Sequence, residues 1–115
     1  MPHDPNCLFC KLADGKIPSR KLYEDDEIVA FHDIAPWAPV HFLVAPKRHI
    51  TSMADVTEAD APLLGRMMAM IPKLMQGSGV DNGFRIIVNS GKDGMQEVPH
   101  LHLHAIGGPR PWAKG

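Results

Sequence analysis

The sequence predicts an α+β domain in which one long helix and one short helix accompany an antiparallel sheet of four or five strands. Three observations carry that expectation. A single long segment, 57–76, has the stripe of an amphipathic helix, with apolar residues at 63/64, 67/68, 71 and 74/75. Four short apolar runs bounded by turn residues read as strands. Their order around the helix (strand, strand, helix, strand, strand) lacks the regular alternation that builds a parallel sheet. At 115 residues the chain fits one domain, 1–115, with 1–5 and 113–115 as its flexible ends. Leu, Ile, Val and Phe supply about a quarter of the residues, enough for a packed core.

Taken in order, Asn6 can cap a short helix over 7–13, and Gly15 is placed to end it. Residues 28–31 and 40–45 are short apolar runs, hence strands, joined by the Pro-rich loop 35–39. The long helix follows, opened by Thr57 and Asp60 in the spacing of a capping box. Pro72 lies in its interior and should kink or split it, since proline lacks the N–H that the preceding turn requires. Met53, Met67, Met68, Met70 and Met75 sit in or near this helix and read as irregular core filling. Beyond the Gly77-Ser78-Gly79 stop, 84–89 is a strand, 90–94 a turn, and 100–106 a strand of strict alternation.

Twelve basic against thirteen acidic residues leave a formal charge of -1, which offers no electrostatic footprint for a nucleic-acid polymer or an anionic membrane. No stretch approaches the ~20 apolar residues needed to span a bilayer, and 1–5 lacks the basic and apolar regions of a signal peptide. A cytoplasmic protein is the expectation. Histidine is the outlier, with seven in the chain and three of them at 100, 102 and 104.

Side chains alternate along a strand, so His100, His102 and His104 share one face while Leu101, Leu103 and Ala105 share the other. The leucine face belongs to the core, and the imidazoles line a surface or cleft. His100 and His104 lie about 13.5 Å apart along an extended strand, whereas zinc needs each nitrogen within about 2.1 Å. Three collinear histidines therefore scarcely chelate one ion. At least one imidazole remains for nucleophilic or acid–base work near neutral pH.

Residues 99–108, with His-x-His-x-His followed by apolar residues and Gly107-Gly108, resemble the signature of the histidine triad superfamily. The likeness extends to 31–34, 38–44, 46–50 and Val88-Asn89, which are similar in order and spacing to the nucleotide-binding, Hint-like branch. The resemblance implies a sheet of about five strands and hydrolysis of purine nucleoside 5'-phosphoramidates to a nucleoside monophosphate and an amine. By position His102 is the nucleophile, the backbone carbonyl of His100 fixes its tautomer, and His104, His41 and Asn89 supply donors to the phosphoryl oxygens. Asp33 corresponds to the acceptor for the ribose hydroxyls. Phe31, His32, Ile34 and Leu43, with Leu8 and Leu12 from the first helix, correspond to the wall behind the base. Such an apolar wall offers weak discrimination among purines. At Met95-Gln96-Glu97 many relatives carry Gly-Gln-Ser, so a carboxyl replaces the hydroxyl that serves the leaving amine. Gln96 and Glu97 are otherwise read with the nucleotide site.

Cys7 and Cys10 form Cys-x-x-Cys without the βαβ context of a redox motif, which makes them half of a zinc site or a free dithiol. In a subset of the superfamily the set is completed at positions that here are His49 and His100. Cys2His2 is a closed tetrahedral set and therefore structural; no metal is expected in the chemical step. The resemblance also implies a homodimer, which would cover sheet edges and an apolar helix that so short a chain struggles to bury. Trp112, close to the C-terminus, would then help form the partner's site. Other functions fit part of the pattern: a metallohydrolase using zinc-bound water, a nucleotide-binding regulatory module with weak activity, and a dinucleoside polyphosphate hydrolase.

Overall fold

The computed structural model describes residues 20–115, so the helix expected over 7–13 lies outside the described residues. Five strands form one antiparallel sheet: β1 (Lys21–Glu24), β2 (Ile28–His32), β3 (Val40–Pro46), β4 (Phe84–Ile87) and β5 (Leu103–Gly107), in the order β1-β2-β3-β5-β4. Between β3 and β4 runs the long helix α1 (Ala61–Gly77). The α+β class and the antiparallel sheet are as the sequence predicts.

Membership of the core follows the period-2 alternation of the three central strands, which are buried on both faces. Ile28 and Ala30 of β2, Phe42 and Val44 of β3, and Leu103 and Ala105 of β5 join one buried cluster with Leu63, Met67, Ile71 and Met75 of α1. These four helix residues recur every four positions, which keeps them on a single face. The alternate residues of the same strands point to the sheet's other side. There the register aligns Phe31 with Leu43, Leu43 with His104, and His104 with Ile87. One face of the sheet is thus core, and the other carries a transverse row that includes a triad histidine.

Several boundaries differ from expectation for identifiable reasons. β1 has no apolar alternation to reveal it, because as an edge strand it exposes Lys21, Tyr23 and Glu24 and leaves only Leu22 half-buried. β4 ends at Ile87 rather than 89. β5 begins at Leu103, although alternation carries the pattern back to His100. The β3–β5 register ends at Val44 and Leu103, and two residues further β3 reaches Pro46, which has no N–H to continue the ladder. The N–H of Leu101 goes instead to Ile50 O, at 2.6 Å.

The long helix is not split. α1 runs through Pro72, which is exposed, as is Met68 one turn before it; the carbonyl that Pro72 cannot serve therefore lies on the solvent side. Thr57 N–H donates to Asp60 Oδ2 at 2.9 Å, the return bond of the expected capping box, although residues 58–60 form a 3-10 turn before α1 begins. Of the five methionines read as core filling, Met67 and Met75 are buried and Met70 is partly buried, but Met53 and Met68 are exposed.

Candidate functional site

On the sheet face away from α1 lies a cavity of about 1020 Å³. Its floor contains the transverse row, with Phe31, Leu43, His104 and Ile87, and His102 stands beside them. His32, Asp33 and Ile34, just beyond the end of β2 or at it, line one side; Asn89 and the segment carrying Gly94, Met95 and Glu97 line the approach from the β4–β5 connection. Ile34 is wholly exposed at the rim.

Backbone groups fix where the imidazole protons sit. His102 Nδ1 lies 2.7 Å from the carbonyl oxygen of His100. A carbonyl only accepts, so Nδ1 carries the hydrogen and the lone pair of neutral His102 is on Nε2. His41 Nδ1 accepts the backbone N–H of Trp37 at 3.0 Å, which places the His41 hydrogen on Nε2. That nitrogen is 3.0 Å from His104 Nδ1; it donates, His104 Nδ1 accepts, and the His104 hydrogen falls on Nε2. The rings of His102 and His104 meet edge to face with centroids 4.9 Å apart. A lone pair on His102 and an N–H on His104 therefore stand side by side along the cavity floor.

Burial keeps these rings neutral. It pushes the pKa of His102 below the ordinary imidazole value, against the opposing pull of the His100 carbonyl and of the Asp33 and Glu97 charges. His41 is likewise lowered by burial, opposed by Asp33, whose Oδ2 lies 3.6 Å from His41 Nε2. His104 is pushed down to about 4, chiefly by burial and then by His102, His41 and Lys114.

The described residues predicted for the site divide into two groups. Phe31, His32, Asp33, Ile34, Leu43, Asn89, Glu97, His102 and His104 all line the cavity. Five others, His41, His49, His100, Gln96 and Trp112, stand elsewhere. His41 sits behind His104 and borders a smaller neighbouring cleft. His100 is fully buried, with Nε2 donating to Pro46 O at 2.7 Å, and meets the ring of His49 edge to face at 5.0 Å. Gln96 faces into the protein: its Oε1 accepts Gly91 N–H at 2.9 Å, and its Nε2 donates to Thr51 O at 2.7 Å and Val98 O at 3.0 Å. Trp112 donates to Gly108 O at 3.0 Å under the guanidinium of Arg110. Leu8, Leu12, Cys7 and Cys10 lie outside the described residues.

Sequence reasoning missed Trp37, whose ring stacks on His104 with centroids 4.6 Å apart and an interplanar angle of 17°. It reads as a loop residue between two prolines, and no local pattern ties it to a strand 67 positions away. The tail at 113–115, expected to be loose, lies against this tryptophan. Ala113 N–H donates to Trp37 O at 2.8 Å, and the Lys114 ammonium stands 4.8 Å from its ring centroid.

Two places invite a metal. Asp33, His41 and His104 offer ligand atoms within 4.8 Å of one another, but both nitrogens of His41 are engaged, one by Trp37 N–H and the other by His104. An ion there would have to break that chain. His49 and His100, the histidine half of the expected zinc set, fit better. The His100 Nε2–H bond to a carbonyl is the kind of orienting contact that metal-ligating histidines typically make with their distal nitrogen.

Comparison with known proteins places these features in context. A family model for the HIT domain matches residues 14–110. Protein HitA of Neisseria gonorrhoeae is 48% identical over 104 residues, covering 90% of this chain and 97% of its own. A histidine triad protein from Clostridium difficile superposes with a TM-score of 0.91 at 43% identity, over 96% of both chains. A HIT family hydrolase from Legionella pneumophila does so with a TM-score of 0.88 at 45% identity, over 91% of this chain and 95% of that one.

Proposed function

The chain belongs to the HIT family, and from that premise we propose that it hydrolyses purine nucleoside 5'-phosphoramidates through a nucleotidyl-histidine intermediate. The observation that carries the reading is the tautomer of His102. Its Nδ1–H is committed to the His100 carbonyl, so Nε2 is the nucleophilic nitrogen of a ring that lines the cavity. Burial favours the neutral form that nucleophilic attack requires.

In this reading Nε2 attacks the α-phosphorus, a bond forms between them, and the P–N bond breaks as the leaving nitrogen takes a proton from solvent and departs as an amine. Water then attacks the same phosphorus and releases a proton to solvent that replaces the one consumed, the P–Nε2 bond breaks, and nucleoside monophosphate is released with His102 restored. Charge developing on the phosphoryl oxygens meets the Nε2–H of His104, held before reaction by its bond to His41, and the amide of Asn89 at the cavity wall. His41 acts one bond further back, by holding the proton of His104 on the side that faces the cavity. Asp33 has Oδ1 tied to Ala35 N–H at 2.7 Å and offers its remaining acceptor capacity to the ribose hydroxyls. Phe31, Ile34 and Leu43 form the apolar wall for the base.

Three further proposals accompany this one. Cys7, Cys10, His49 and His100 hold a structural zinc, which ties the N-terminal segment to the segment bearing the triad and takes no part in the chemical step. The protein works as a homodimer, supported by the half-exposed Phe84 and Val88 at the β4 edge of the sheet and the exposed Met68 on α1. It resides in the cytoplasm; among the described residues no helix is long and apolar enough to cross a membrane.

The test is rapid quench of the protein with an adenosine phosphoramidate, followed by mass spectrometry and steady-state assay of His102→Ala. One nucleotidyl group on the peptide containing His102, with turnover lost and monophosphate binding kept in the variant, is the expected result. Turnover within tenfold of the parent would overturn the covalent mechanism. Tight nucleotide binding by a parent that turns over no phosphoramidate would identify a binding module instead.

A further inference from the structure

Four ordinary charges line the cavity: Arg20, Asp33, Glu97 and Lys114. Three of them have visible attachments on the β2–β3 side. Asp33 is engaged with Ala35 N–H and stands 3.6 Å from His41. Lys114 lies over the Trp37 ring, and Arg20 sits beside His32, whose N–H its carbonyl accepts. Glu97 stands on the other side. It is exposed, it takes part, like Arg20 and Lys114, in none of the ion pairs found among the described residues, and of the four charges it alone enters from the connection between β4 and β5.

That connection is held firmly. The Gln96 side chain spends both its N–H groups and its carbonyl oxygen on Thr51, Val98 and Gly91, and Gln96 N–H returns to Gly91 O at 3.1 Å. A Cβ at Gly94 would lie 2.4 Å from the Ser90 carbonyl oxygen, so the loop closes at a point where only glycine fits. Met95 has a φ of 62°, an uncommon backbone for a residue with a side chain. A loop tied at both ends and through its middle thus presents the carboxylate of Glu97 to the cavity mouth.

We propose that Glu97 sets the charge preference for the leaving group, favouring amines that bear a second, cationic nitrogen and disfavouring acidic ones. The inference rests on the phosphoramidase reading and deepens it. With the base against Phe31 and Ile34 and the ribose at Asp33, the nucleoside occupies the β2 side. β2 and β5 are two places apart in the sheet, about 10 Å at ordinary strand spacing, which brings the phosphorus over His102. Phosphoryl transfer runs roughly in line, so the leaving nitrogen lies on the side of phosphorus away from His102, towards the mouth where Glu97 stands. His102 senses the Glu97 charge, which places that charge within electrostatic reach of the reacting centre. An ammonium on the leaving group gains from it, and a carboxylate or phosphate there is repelled.

The experiment compares three adenosine 5'-phosphoramidates of similar size, whose leaving groups are 2-aminoethylamine, propylamine and glycine, on the parent, Glu97→Gln and Glu97→Lys. In parallel, calorimetry on His102→Ala, with and without Glu97→Gln, gives Kd for the corresponding methylene phosphonates, which have no P–N bond to break. The parent should prefer the cationic over the anionic leaving group by kcat/KM. That ratio should fall about tenfold in Glu97→Gln and invert in Glu97→Lys, with Kd following the same order. Ratios that agree within twofold across the three proteins, or Kd values indifferent to leaving-group charge, would overturn the inference. Absent turnover with the Kd preference intact would instead overturn the hydrolase reading and leave the charge selection standing.

Discussion

Mild acid should destabilise this protein through its site before it touches its carboxylates. His104 is 7% exposed, and its pKa falls from 6.5 to about 4 on folding, because an imidazolium there would lose solvation and face His102, His41 and Lys114. The unfolded chain therefore binds the proton more readily than the native one between those two values. Stability is complete above about pH 6.5 and is lost as the pH falls towards 4. The full difference corresponds to about 3 kcal/mol, of which about 2 kcal/mol has been lost at pH 5. His41 and His102 are lowered in the same direction and add to it. The lowered carboxylates Glu24, Asp25 and Asp60 lose their contribution only below their unfolded values near 4, so pH 5 separates the two effects. Urea unfolding at pH 7.5 and 5.0 checks the reasoning: with m of about 1–3 kcal/mol/M for a small domain, the parent midpoint should drop by roughly 1 M or more. His104→Gln, which removes the titrating ring, should lose about 2 kcal/mol less between the two pH values. An unchanged parent midpoint, or an equal drop in the variant, would refute it.

Gln96→Ala should leave the fold intact, release the 91–97 loop and lower kcat/KM about tenfold. Faster hydrogen exchange at the Gly91 amide is the measurement that separates this from a direct contact with substrate. Purified protein should carry about one zinc per chain, and Cys7→Ser should lower metal content by elemental analysis and thermal stability together, because binding free energy at such sites is folding free energy. Sedimentation should give a dimer at micromolar concentration. Trp112→Ala should change KM or the preference among amines without dissociating it; kinetics identical to the parent across several amines would exclude the tail from the partner's site.

Most of the fold is legible in the sequence because α1 and the central strands bury what their patterns expose to view. The spacing of Leu63, Met67, Ile71 and Met75 is at once a sequence period and a packing surface. His102 and His104 were legible for the same reason, since alternation with Leu101, Leu103 and Ala105 leaves them on the side opposite the core. Residues whose position depends on other segments were not. β1 is an edge strand, fixed by pairing with β2 rather than by its own apolar residues. Pro72 breaks a rule only when its free carbonyl is buried, and here that carbonyl faces solvent. Gln96 stood in a motif attached to substrate by resemblance, yet its amide is engaged by three backbone groups, and no sequence pattern encodes which way an amide turns. Trp37 has significance only through a stack on His104, which depends on the β3–β5 register.

The chemistry of the site begins in the backbone. A histidine pair such as His41 and His104 can in principle pass its proton either way, and a cavity built on the wrong arrangement would present two lone pairs to an anionic phosphoryl group. Trp37 N–H removes that freedom, because a peptide N–H has nothing to do but donate; His41 must accept at Nδ1, donate at Nε2, and leave His104 with its hydrogen on the remaining nitrogen. The His100 carbonyl does the complementary work on His102, since it has nothing to do but accept. Neither backbone group titrates in any accessible range, so the division between nucleophile and donor is set by the fold and not by pH or by the ligand. The loop that holds Trp37 and the turn that exposes the His100 carbonyl are therefore as much part of the candidate site as the imidazoles. Burial of the rings, which costs stability in acid, is what keeps each of them neutral enough to obey those two backbone groups.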